Sequence, residues 1–190
     1  MEKTRCSWCL NSELERNYHD SEWGVPLWDD QKLFEFIIID GFQAGLSWKI
    51  ILNKRENFRK AFYDFNPEIL ASVGQNQIEI WMQDAGIIRN RLKLEALPRN
   101  AKAYLETKSS FSSFAEYIWS FVGGKPIVNE IGPGKSVPSV SPEAIAMSKD
   151  MKKRGFVFCG PTICYAFMQA AGLVNDHHQD CFRYKEILGK

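Results

Sequence analysis

The residues of this chain best suited to hold a metal are confined to its two ends, and that confinement dictates where the ends must go. Cys6, Cys9 and His19 lie in the first twenty residues, and His177, His178 and Cys181 lie in the last fourteen. No histidine occurs between His19 and His177. Structural zinc takes four N or S ligands in a tetrahedron. A site drawn from both groups ties tail to head, so the chain between must fold into a body whose entrance and exit lie side by side. Spacing alone selects Cys6-x-x-Cys9 together with His177-x-x-x-Cys181. A closed four-ligand site has no place for water, so such a metal is structural. The plainer reading is a reduced thiol cluster with surface histidines. Five cysteines is an odd number, and the opening Met-Glu-Lys-Thr-Arg lacks the apolar stretch of a secretory leader. Both points argue against a disulfide framework and for a cytoplasmic location. Cys159 and Cys164 sit in apolar stretches and read as small buried hydrophobes.

The body between the ends reads as helical. Asp29 and Asp30 can cap a helix carrying Leu33, Phe34, Ile37 and Ile38. A second helix is expected from Leu46 or Ser47 to Phe62. Asn66-Pro67 is a cap followed by proline at the first helical position, and Gly74 closes that short helix. Ile78, Trp81 and Met82 mark another, ended by Gly86. The next runs through Ile88, Leu92, Ala96 and Tyr104, with a bend expected at Pro98. Phe114, Ile118 and Phe121 give one more. A glycine- and proline-rich loop fills 123–140. Ser141-Pro142 opens a helix to about Arg154, Phe156–Cys159 is briefly extended, and Pro161 starts a helix that ends at Gly172. Strand signals are nearly absent, so the expected class is all-α. No run is long enough to span a membrane. A single domain over residues 1–190, with its helical core at about 29–173, accounts for the whole length.

Two further constellations suggest chemistry. In Trp81–Lys93 one helix ends at Gly86, a short turn follows, and another helix begins. A helix start offers unpaired N–H groups and the positive end of a dipole, which suit a phosphate. Arg89, Arg91 and Lys93 add three positive charges. With a net charge of only +1, nucleic-acid binding would have to come from such a local patch. A glycine-capped helix pair with a solvated basic face has the same pattern. The second constellation is aromatic. Tyr18, Trp23, Trp28, Phe42 and Trp48 crowd, in sequence, around Asp40, which follows three isoleucines. Aromatic faces attract a cationic ring, and a carboxylate can accept hydrogen bonds from its N–H groups. The same residues could instead be core, with Asp40 a helix-end residue at the surface.

The motifs Tyr18–Pro26, Gln43–Trp48, Asp84–Arg89, Lys152–Phe156, Gly160–Thr162 and Asn175–His177 resemble the DNA-3-methyladenine glycosylase I family from Cys6 to Cys181. The resemblance implies an all-helical helix–hairpin–helix glycosylase fold with a structural zinc. It implies Cys6, His19, His177 and Cys181 as the zinc ligands, which makes Cys9 and His178 bystanders. It places the base pocket at Tyr18, Trp23 and Trp48, and a wedge that fills the gap left by a flipped nucleotide at Gly45-Leu46. Gln43, Gly86, Arg89, Arg91 and Lys93 then face DNA. The family usually has a glutamate where this chain has Asp40. The aspartate oxygens sit roughly an ångström further from the base, a displacement large enough to matter for rate.

The activity so implied is hydrolytic release of 3-methyladenine from alkylated double-stranded DNA, with the free base as product. An enzyme acting on a stacked base must first flip it out. Methylation at N3 makes the adenine cationic, so the base leaves neutral and no strong general acid is required. No aspartate lies between Asp84 and Asp150, where many helix–hairpin–helix glycosylases carry an essential one. Catalysis is then expected mainly from flipping, from selective binding of the lesion and from a water that attacks the sugar. With the pocket that the resemblance implies, Asp40 and Tyr18 are the expected catalytic residues, without a lysine nucleophile and without strand cleavage, in a monomer. Two other readings stand beside this one: a zinc-containing DNA-binding module without activity, and a glycosylase for a different damaged base.

Overall fold

The computed structural model describes residues 3–189. Short polar caps set most helix starts. Ser12 opens α1 (Glu13–Ser21) by accepting from the Glu15 N–H, and Asp29 opens α2 (Asp30–Gln43) by accepting from Lys32. These bonds satisfy N–H groups that have no partner inside the helix. α3 is Trp48–Ala61, and Asn66 caps the short α4 (Pro67–Ala71) through the Ile69 N–H. α5 (Gln75–Gln83) is followed by α6 (Arg91–Ser109), which continues unbroken past Pro98. α7 (Phe114–Ser120), α8 (Pro142–Lys153), α9 (Pro161–Ala170) and α10 (Phe182–Ile187) complete the set. None of the described helices is long and apolar enough to cross a membrane.

α2 is the axis of the molecule. Every residue from Leu33 to Phe42 is buried, and the helix packs on α3, α6, α7 and α9. A helix buried all round belongs at the centre of a core. Its C-terminal half carries Asp40 into that interior.

The structure departs from the sequence reading in three places. The 123–140 segment is not wholly loop: β1 (Ile127–Val128) pairs in parallel with β2 (Val174–Asn175), and Ile131 bridges to His178. This small ladder runs the C-terminal segment alongside the loop. Residues 156–159 form no strand. Asn100 clamps Val157 by accepting from its N–H and donating to its carbonyl, and Phe158 is turned to a φ of 56°. Finally, α6 begins at Arg91, so seven residues separate α5 from α6.

Candidate active site

Beside the C-terminal half of α2 lies a cavity of about 350 Å³. Tyr18, Trp23 and Trp48 line it, as do Trp8, Gln43 and Asp40. The Tyr18 and Trp48 rings lie 5.1 Å apart between centroids, and Trp8 meets Trp23 edge-on at 5.1 Å. Asp40 is 2% exposed, and its Oδ2 has no hydrogen-bond partner. Trp48 Nε1, also buried, has none either. Such atoms are uncommon in native interiors because each unsatisfied group costs about 1–3 kcal/mol. Burial pushes the Asp40 carboxyl well above the usual carboxylate range, with only the Arg55 charge opposing it. Burial likewise pushes up the Tyr18 phenol, and the neighbouring Asp40 adds to the effect, so Tyr18 stays neutral.

The remaining aromatics of the sequence cluster do not line this cavity. Trp28 stacks on Trp119 at 4.3 Å and is 53% exposed. Phe42 points into the core against Phe58 and Phe62. Positions two apart on a helix lie on opposite sides of it, so Phe42 cannot share the face of Asp40. Trp8 was invisible to sequence reasoning because it lies outside the dense aromatic stretch. Gln169 and Ala166, from α9, also line the cavity without having shown any local signal.

Between α2 and α3 the chain turns sharply. Leu46 N–H donates to Gln43 O at 2.7 Å, and Gly45 takes a φ of 80° that only glycine adopts freely. Leu46 is left 37% exposed. Gln43 and Trp48, either side of this turn, both line the cavity, so Gly45 and Leu46 project at its margin.

Cys6, His19, His177 and Cys181 come together as a fully buried group whose ligand atoms all lie within 4.8 Å of one another. Cys6 Sγ is 3.7 Å from His177 Nδ1, and Cys181 Sγ is 3.4 Å from His19 Nε2 and 3.6 Å from His177 Nδ1. Zn–S bonds of about 2.3 Å and Zn–N bonds of about 2.0–2.1 Å imply ligand–ligand edges of about 3.3–3.8 Å in a tetrahedron. The donor set and these separations fit zinc. The outer nitrogens are also committed: His19 Nδ1 meets Asp20 Oδ1 at 2.8 Å, and His177 Nε2 meets Trp23 O at 3.1 Å. Such outer bonds fix which nitrogen faces inward. Arg5 in turn grips Asp20 with Nε and Nη2, and these bonds with His19 hold the Asp20 pKa below its usual value despite partial burial. Hydrogen bonds from Cys6, His177 and His19 converge on Cys181 and favour its thiolate. The spacing-based choice of Cys9 is corrected. Its Sγ points back to Cys6 O at 3.1 Å, at the start of a short 3-10 turn, and His178 contributes only its backbone N–H, to Cys6 Sγ.

The cluster and the cavity share a wall. The Trp23 ring meets His177 edge-on at 4.5 Å, and Trp8 meets His19 at 5.5 Å. Tying the termini together thus also fixes two indoles of the cavity.

The α5–α6 turn is braced from α3. Lys54 Nζ donates to Ala85 O and Gly86 O at 3.0 and 3.1 Å, and Asn57 Nδ2 donates to Gly86 O. A side chain at Gly86 would place its Cβ 2.9 Å from Asp84 Oδ1, which accepts the Gly86 N–H. Asn90 caps α6 through the Lys93 N–H. Arg89 is exposed and has no ion-pair partner among the described residues, whereas Arg91 forms a two-point pair with Glu79 at 2.6 and 2.9 Å. Lys93 does not face outward, which corrects its reading as a DNA contact. It is 6% exposed, and its ammonium donates to Phe42 O and Ala44 O, both at 2.7 Å. These are carbonyls left open at the end of α2, so Lys93 caps that helix. Burial lowers its pKa.

A family model described as methyladenine glycosylase matches residues 8–184. The DNA-3-methyladenine glycosylase of Haemophilus influenzae is 51% identical over 178 residues, covering 94% of this chain and 96% of that protein. DNA-3-methyladenine glycosylase 1 of Escherichia coli is 47% identical over 180 residues, covering 95% and 96%. A crystal structure of a 3-methyladenine DNA glycosylase I superposes with a TM-score of 0.91 at 47% identity, over 94% of this chain and 98% of the other. The Staphylococcus aureus enzyme, solved to explain 3-methyladenine recognition, gives 0.91 at 38% identity, over 94% and 95%. On a match that spans nearly the whole chain in both sequence and backbone, this chain belongs to the methyladenine glycosylase family.

Proposed function

We propose that this chain is a monofunctional base-excision repair glycosylase that flips 3-methyladenine out of alkylated double-stranded DNA and hydrolyses its bond to the sugar. One observation carries the reading: a buried carboxylate oxygen, Asp40 Oδ2, left without a partner inside an aromatic cavity. A cationic purine supplies what that oxygen lacks. Its ring can lie against the aromatic wall that Tyr18, Trp48 and Trp23 form, held by stacking and cation–π attraction. Its N–H edge can donate to Asp40, and its positive charge offsets the desolvation that raises the Asp40 pKa. A neutral adenine brings the same shape without that charge, so selection is electrostatic.

The reaction needs little proton movement on the base. The bond between C1′ and the base breaks, its electron pair neutralises the methylated ring, and 3-methyladenine departs neutral. Water bonds to C1′ and loses a proton, leaving an abasic site. Preorganised electrostatics supplies this kind of catalysis. Asp40 and Tyr18 touch the base. Leu46, raised on Gly45, fills the space it vacates, with Gln43 at the same margin. The α5–α6 segment acts as the helix–hairpin–helix grip: Gly86 lets the backbone approach, and Arg89 with Arg91 faces phosphates. Zinc bound by Cys6, His19, His177 and Cys181 joins the termini and leaves no position open for water. The core is continuous from Cys6 to Cys181, which supports one domain over residues 1–190. It acts as a cytoplasmic monomer on this reading.

Methylated duplex DNA incubated with the pure protein, followed by chromatography of the free bases, tests the proposal. Release of 3-methyladenine with strands intact is expected. Release of another base alone favours an altered lesion range arising from the shorter Asp40. DNA binding without release favours a module that has lost its chemistry.

A further inference from the structure

The cavity contains a further amide, Gln169, that the reading above does not use. Gln169 lies on the last turn of α9 and lines the cavity with Asp40. Its backbone is pinned, since Gln169 O accepts from Gly24 N–H at 3.0 Å, directly after Trp23. Its side chain is pinned from the far end. Nε2 donates to Asp176 Oδ2 at 2.7 Å. Asp176 is 1% exposed, and the same carboxylate takes the Tyr165 hydroxyl at 2.8 Å and Asn129 Nδ2 at 2.6 Å.

This network decides which way the amide faces. The amide nitrogen of Gln169 stands against Asp176 Oδ2, beside the Tyr165 hydroxyl that donates to the same oxygen. The amide oxygen is therefore turned away from Asp176. It has no hydrogen-bond partner among the described residues, although Gln169 is half-buried. Gln169 thus offers an acceptor in the cavity beside Asp40, where Glu15 and Gln43 also contribute side chains. Trp48 Nε1 is a buried donor beside them that has no hydrogen-bond partner among the described residues.

We propose that Gln169 is a specificity-determining residue: its Oε1, locked outward by Asp176, accepts from the exocyclic amine of an adenine-type base and disfavours a guanine-type base, which presents a carbonyl there. An exocyclic amine carries two N–H donors and can serve two acceptors, whereas a carbonyl facing an acceptor meets only repulsion and leaves both sides unpaired. Sites built to hydrogen-bond a substrate group discriminate strongly against analogues lacking it. The inference rests on the proposed excision activity and refines it.

DNA treated with a methylating agent carries both 3-methyladenine and 3-methylguanine, so one digest reports a ratio. That ratio does not depend on how much enzyme is folded. The parent protein is expected to release 3-methyladenine in large excess. Gln169→Leu, which keeps the volume and removes both polar atoms, is expected to lower 3-methyladenine release about 10-fold or more and to move the ratio towards 3-methylguanine. Gln169→Ala is expected to move it the same way. An unchanged ratio in both variants, with the parent active, overturns the role of Gln169 and leaves the excision reading intact. A parent that releases no methylated base overturns the excision reading itself.

Discussion

The terminal cluster and the cavity beside it are both buried, both built from N- and C-terminal elements, and both rich in polar atoms, yet they are finished to opposite degrees. In the cluster every ring nitrogen of His19 and His177 has a partner, and a further pair, Arg5 with Asp20, backs it up. In the cavity Asp40 Oδ2 and Trp48 Nε1 have none. The difference separates two uses of buried polarity. A satisfied set holds the fold, while an unsatisfied one keeps free energy available for a ligand that completes it. Because Trp23 touches both, the finished region holds the unfinished one in shape.

The largest expected effect tests the finished side. Structural zinc sites carry apparent binding free energies of about 10 kcal/mol or more. Stripping the metal with a chelator, or Cys181→Ala, is expected to lower the melting temperature sharply and reduce metal content below one ion per chain. Calorimetry with elemental analysis checks both, and a melt indifferent to chelation would remove the distinction between the regions.

Next comes Asp40→Asn, for which stability and activity should move in opposite directions. The folded state raises the Asp40 pKa. Between the unfolded value of about 3.9 and that raised value, the folded chain holds the extra proton, so stability falls as pH rises through the window. Removing the ionisable group is therefore expected to stabilise the protein above this window by about 1–3 kcal/mol, while excision falls about 100-fold or more. Denaturant melts at several pH values and single-turnover assays read the two effects separately.

Smaller effects belong to the hairpin. Arg89→Ala is expected to weaken duplex binding several-fold and to reduce the slope of log affinity against log salt by about one. Arg91→Ala should do less, because Glu79 already occupies that guanidinium. Lys93→Met should leave the salt slope unchanged and lower the melting temperature, since it strips the donor from Phe42 O and Ala44 O. A salt slope that responds to Lys93 instead would return it to the DNA face. The smallest change is Cys9→Ala, for which metal stoichiometry is expected to stay as in the parent.

Local chemistry made most helix starts legible. Asp29, Asn66 and Ser141 read as caps and serve as caps, because a cap is a contact within three residues. The metal set was only half legible. Ends-only histidines pointed to a joint site, but the choice between Cys9 and His19 depends on how α1 folds back, which spacing does not encode. Lys93 carried a signal that a reading of charge alone overlooks. It falls on the face of α6 that also bears Leu97, Ala101 and Tyr104, at helical spacing, and that is the buried face. Trp8 and Gln169 had no such signal. They reach the cavity only through tertiary contacts between segments distant in sequence. The β1–β2 ladder was equally hidden, being two residues long on each side.

The claim that an unpartnered carboxylate selects by charge is tested most directly with two small ligands of similar shape: 3,9-dimethyladeninium, permanently cationic, and 9-methyladenine, neutral. Quenching of the cavity tryptophans reports binding of each across a pH series. The cation is expected to bind, more tightly as pH rises because its charge favours ionised Asp40, while the neutral ring binds weakly or not at all, and Asp40→Asn is expected to abolish both the preference and its pH dependence. Equal affinity for the two ligands, or a preference that survives in Asp40→Asn, would contradict the account.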